Sequence, residues 1–140
     1  MTRGASPRVL AALLTVAVAV SVVHYADNYF NYAAFPTSDE LPAPSRALVG
    51  ISWFAFTAAG VLGYALFRAG RRIGLACAFL AYYSVSGLIG VGHYTAGEMV
   101  DAPWWRQAHV VADILCGMAI ALFAFAAWQR TRRAAGAIVE

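Results

Sequence analysis

The chain reads as an all-α, four-transmembrane-helix bundle with both termini in the cytoplasm. Three observations predict this. First, 61% of its 140 residues are hydrophobic and only 12% are charged, with a mean hydropathy of +0.64. That is too apolar for an ordinary soluble domain. Second, four apolar stretches each approach the roughly 20 residues that a helix needs to cross a bilayer. Third, arginines and acids segregate to opposite ends of those stretches. One domain over 1–140 accounts for the length, with helices at about 9–34, 47–67, 73–93 and 108–128.

Helix one is apolar from Val9 to Tyr25 and continues as an amphipathic stretch to about residue 34. Pro36, Pro42 and Pro44 then break the chain, because proline lacks the N–H donor and clashes with the preceding turn. The arginines and apolar run at the start mimic a signal peptide. No A-x-A site follows the apolar core, so the helix is expected to stay in place. Helix two carries no charge between Arg46 and Arg68, and Thr57, Gly60 and Gly63 give it a smooth side. It completes the bundle without chemistry of its own. Helix three carries a small-x-x-x-small pair, Ser86 and Gly90, with Ser84, Gly87 and Gly92 nearby; such surfaces let helices approach closely. Helix four follows Ala102-Pro103. Cys77 and Cys116 fall at different depths and read as small buried apolar residues, not as a disulfide.

Arginine placement gives the orientation. Arg3 and Arg8 precede helix one; Arg68, Arg71 and Arg72 fill the turn between helices two and three; Arg130, Arg132 and Arg133 follow helix four. Only Arg46 and Arg106 fall on the other side, where six of the seven acids lie. A multi-pass protein of the cell membrane is expected. The pI near 9.1 does not imply nucleic acid, because the arginines flank apolar segments instead of forming a stripe interleaved with stacking aromatics.

The candidate functional residues share one layer. His93 stands 21 residues past Arg72 and His109 stands 21 residues before Arg130, each about 31 Å along a helix. His24 lies 16 residues past Arg8, about 24 Å. All three rings are expected near the outer boundary of the membrane core. His24, Asp27, Asn28 and Asn31 share one face of helix one, and His109, Asp113 and Cys116 one face of helix four. Asp113 is expected about 6 Å deeper than His109. An unpaired carboxylate there is costly, so it is expected to be neutral, bound to a cation, or paired with His109, Arg106 or Arg46.

Imidazole with carboxylate suits copper, iron or zinc. His109-x3-Asp113 and His24-x2-Asp27 have the helical spacing that lets two side chains grip one ion. The metal-ligand candidates are therefore His24, Asp27, His93, His109 and Asp113. The regular Glu-x-x-His pairs of the ferritin-like pattern are missing. Particulate methane monooxygenases hold copper with one Asp and two His, the same content in another order. A second reading needs no metal: Asp113, Asp27 or Glu98 would transfer a proton to an apolar isoprenoid or sterol, with His as a shuttle. Tyr25, Tyr29, Phe30, Tyr32, Tyr94, Trp104 and Trp105 sit at the same level and would line a pocket; equally, they form an interfacial belt. A third reading is a non-catalytic anchor or accessory subunit of a larger membrane complex, for a quinone or a haem held by histidines, or a homo-oligomer. Asp39 and Glu40 read as solvated loop acids. No P-loop, GxSxG, CxxC or HExxH occurs.

His24, Asp27, Asn28 and Pro36 form an H-x-x-D-N with a Pro-bearing loop, and Gly92-His93-Tyr94 a G-H-Y. On these motifs the chain resembles a set of small bacterial four-helix membrane proteins. The resemblance covers most of the chain and implies the fold, with no activity attached. The sterol-isomerase and emopamil-binding type of domain is similar in helix count and in placing His and acids within the membrane. Its richer His and Glu motifs are not matched, and no residue is carried over.

Overall fold

A computed structural model describes residues 6–35, 44–95 and 99–137. Five helices follow one another: α1 (Pro7–Phe30), α2 (Arg46–Arg68), α3 (Ile73–Leu88), the short α4 (Val91–Thr95) and α5 (Trp104–Gly136). Single 3-10 turns occupy Tyr32–Ala34 and Met99–Asp101. Four helical stretches, with α3 and α4 counted as one, are long and apolar enough to cross a membrane. Large apolar side chains face outward along them, such as Ile51, Phe54 and Leu122, each about two-thirds exposed at 66%, 69% and 66%. Such a surface is compatible with an integral membrane protein whose solvent is lipid.

Local chemistry fixes each helix end. Ser6 caps α1, its Oγ accepting from the Arg8 N–H, and Pro7 supplies a preset first turn. Ser45 caps α2 by accepting from the Leu48 N–H. At the other end of α2, Gly70 takes φ +64°; its N–H bonds Phe67 O while the Arg71 N–H bonds Leu66 O. This paired closure consumes two orphan carbonyls and reverses the chain within four residues. Pro103 ends the loop before α5.

Three helices depart from the expected bounds. α1 stops at Phe30, and the chain tightens into the Tyr32–Ala34 turn. α3 stops at Leu88, where Gly90 and Gly92 follow. Gly90, Gly92 and His93 then bond three residues back, to Gly87, Ile89 and Gly90. Glycine costs about 0.5–1 kcal/mol in a helix interior, and the tighter spacing rotates His93 away from the direction a continuous helix would give it. α5 is longer than expected, since its arginine-bearing last turns stay helical to Gly136.

The helices form a ring in which α1 packs on α2 and α5, and α3 packs on α2 and α5. The α3–α5 crossing is the tightest. A Cβ on Gly87 would collide with the Asp113 carbonyl oxygen, and one on Gly117 would stand 2.7 Å from Ser84 O. Gly60 and Gly63 receive Tyr83 and Leu80 from α3. The core is divided by chemistry. Leu10, Ala76, Leu80 and Ile120 fill the half nearest the arginines. The opposite half, here the distal end, buries Ser21, His24, Ser84, Ser86, Arg106 and Asp113 instead.

Candidate functional site

The antiparallel sense of α1 and α5 decides which polar side chains meet. Asp27 lies three residues past His24, about 4.5 Å further toward the distal end. On α5, Asp113 lies four residues past His109, about 6 Å in the opposite direction. His24 is therefore level with Asp113, while Asp27 is level with His109 and Arg106.

In the deeper level the His24 Nδ1–H donates to Asp113 Oδ2 at 2.7 Å, with the two side chains 4% and 3% exposed. In the upper level Asp27 accepts four hydrogen bonds. Oδ2 takes the Arg106 Nε–H at 2.8 Å and the His109 Nε2–H at 3.1 Å; Oδ1 takes Asn31 Nδ2 at 2.7 Å and Arg106 Nη2 at 3.3 Å. A carboxylate offers about four acceptor directions, and in this structure all four at Asp27 are taken. Arg106 also donates to Ala34 O and lies over the rings of Phe35 and Trp105. A cation in the first turn of a helix opposes the helix dipole; the paired carboxylate offsets that.

His93 approaches from α4. The Asn28 amide meets its Nε2 at 3.3 Å, and its ring centre lies 5.6 Å from that of His24. The His24 and His109 rings are also 5.6 Å apart. Above them Phe35 and Met99, 6% and 0% exposed, pack with Val110 and Tyr94 as an apolar cap. Tyr25 ties α1 to α3 by donating to Ser86 O, and Trp53 ties α2 to α1 by donating to Ser21 Oγ.

The expected residues thus converge, with changed partners. The His24/Asp27 and His109/Asp113 pairs do not each grip one point, because side chains one turn apart are drawn to the facing helix at their own depth. The partner of Asp113 is His24, not His109, Arg106 or Arg46. Glu98 lies outside the described residues. The capping role of Phe35 and Met99 has no counterpart in the sequence reading, since single apolar residues in loops show no periodicity. Among the described residues, no three His, Cys, Asp or Glu side chains enclose a point that would hold a metal ion.

Chemically, the arrangement is unfinished at three atoms. His24 Nε2, His109 Nδ1 and the Tyr94 hydroxyl are buried with no hydrogen-bond partner among the described residues. On each histidine the other ring nitrogen holds its proton against a carboxylate, so in the neutral ring the orphan nitrogen carries the lone pair. In comparisons with known proteins, no family model, no curated protein and no solved structure matches the chain.

Proposed function

We propose that this is a multi-pass protein of the cell membrane, termini in the cytoplasm, whose distal site binds a transition metal through His24 Nε2 and His109 Nδ1. One observation carries the reading: two carboxylate-backed imidazoles keep buried nitrogens that meet no donor among the described residues. A buried polar group left unsatisfied costs about 1–3 kcal/mol, and a bound ion is one of the partners that would satisfy it. Histidine ligands characteristically donate their second nitrogen to a carboxylate, which fixes the tautomer and raises basicity. Two imidazoles that share an ion at about 2.0–2.1 Å per bond have ring centres about 5–6 Å apart, and the His24–His109 separation of 5.6 Å falls there.

Charge supports the same reading. Asp27 and Asp113 against Arg106 leave one negative charge when the histidines are neutral, and a bound cation offsets it. Completing the coordination would call on the unpartnered Tyr94 hydroxyl or on His93 released from Asn28, with tyrosine a recognised metal ligand. Nitrogen donors suit copper, zinc or iron. An ion so held would act as a Lewis acid or redox centre. The test is elemental analysis of detergent-purified protein without a His-tag, beside a His24/His93/His109 triple alanine variant. Near-stoichiometric metal in the first and none in the second is expected; metal-free, folded wild type would overturn the reading.

The His24–Asp113 dyad also favours a second reading. A buried carboxylate that orients an imidazole, whose far nitrogen is free, has the arrangement of a general base. In that case the protein isomerises or cyclises an apolar lipid without metal. Asp113→Asn would then abolish turnover, and chelators would leave it intact.

A further inference from the structure

The arginine end of the α1–α2 seam holds a second feature, unconnected with the His–Asp network. Ser6 and Arg8 from the start of α1, with Tyr64 and Arg68 from the end of α2, line one cavity of about 670 Å³. Tyr64 also lines the next cavity along the same seam, about 460 Å³, walled by Leu14, Val18, Thr57 and Val61. A two-arginine mouth therefore opens onto an apolar groove. Thr57 is 11 residues before Arg68, so the groove runs about 16 Å along the helix. That is about half the 30 Å hydrocarbon core, the reach of one leaflet.

Arg8 and Arg68 are both exposed, and neither pairs with an acid among the described residues, whose ion pairs all lie at the distal end. The comparable groove at the distal end of this seam, between Tyr25 and Phe54, differs in this respect. Its nearest cation, Arg46, is already seated over the Tyr29 ring.

We infer that the α1–α2 seam binds one anionic phospholipid of the arginine-side leaflet, its phosphate between Arg8 and Arg68 and an acyl chain along the groove. Basic pockets between transmembrane helices take anionic headgroups in this way. A free phosphate would use the mouth alone and leave the groove unexplained. The inference rests on the four membrane spans and is independent of the metal reading.

The test is thermal unfolding of the full chain in detergent, titrated with phosphatidylglycerol, phosphatidylcholine or inorganic phosphate. Phosphatidylglycerol is expected to raise the midpoint saturably in wild type. In the Arg8→Gln/Arg68→Gln variant its half-saturation should rise at least tenfold. The control Arg130→Gln/Arg133→Gln removes equal charge from the same end and should respond as wild type. Ala11→Phe, which intrudes on the groove, should weaken the response with both arginines in place. Circular dichroism checks that each variant is folded. Equal protection by phosphatidylcholine, equal loss in the control, no effect of Ala11→Phe, or full protection by inorganic phosphate would each overturn the inference.

Discussion

His24 and Asp113 meet 2.7 Å apart in the distal half of the α1–α5 interface, 89 residues apart in the chain and almost sealed from solvent. Each is the other's only described side-chain partner, so neither can be removed without stranding the other. Asp113→Ala is expected to destabilise the bundle by about 3–5 kcal/mol, the range for breaking a buried pair from one side. The double variant with His24→Ala should recover part of that loss. Unfolding in mixed detergent micelles gives the coupling; additive losses would show that the pair does not act as a unit.

Arg106 is held by geometry as much as by charge. It reaches Asp27 through Nε and Nη2 and Ala34 O through Nη1. Lysine keeps the charge but cannot reproduce that fork. Arg106→Lys is therefore expected to lose about 1–3 kcal/mol, nearly as much as Arg106→Gln. Recovery of wild-type stability in the lysine variant would mean that charge alone suffices.

Glycines 87 and 74 lie on the same helix and should respond oppositely to alanine. At Gly87 the new methyl meets the α5 backbone at Asp113, whereas at Gly74 nothing lies within 4 Å. Gly87→Ala should cost about 1–3 kcal/mol by overpacking. Gly74→Ala should be neutral or stabilise by up to about 1 kcal/mol. Paired melting curves decide it, and a harmless Gly87→Ala would contradict the close α3–α5 crossing.

Metal content should grade across the three histidines. His24→Ala and His109→Ala each remove an orphan lone pair and should lower bound metal at least tenfold. His93→Ala, whose Nε2 is engaged by Asn28, should retain more. Asp113→Asn should weaken binding about 10–100-fold through the loss of its orienting bond to His24. Equal metal in all four variants would place any ion elsewhere.

The depth of the polar layer was legible in the sequence because helix rise is constant, and counting from arginine to histidine measures height. The pairing was not legible. It depends on α1 neighbouring α5 in antiparallel sense, and nothing in the spacing of His24, Asp27, His109 and Asp113 says which helices are neighbours. That Gly60 and Gly63 give α2 a smooth side could be read from their spacing; that α3 fills it with Tyr83 and Leu80 could not. Gly117, alone among large residues, gave no such pattern, although α3 packs closely against it. The break after Leu88 was masked by the apolar run that continues through Ile89 and Val91.

The span of 89 residues between His24 and Asp113 also has a meaning in time. At ribosomal speeds of roughly 5–20 residues per second, α1 emerges on the order of 5–20 s before α5 can offer it a partner. During that interval Asp27 and His24 have no counter-group from the last helix, and the first helix is poorly suited to lipid on that face. The biosynthetic consequence is that the polar network of α1 can close only when the last helix arrives. Truncation before α5 would leave His24 and Asp27 without Asp113, His109 and Arg106.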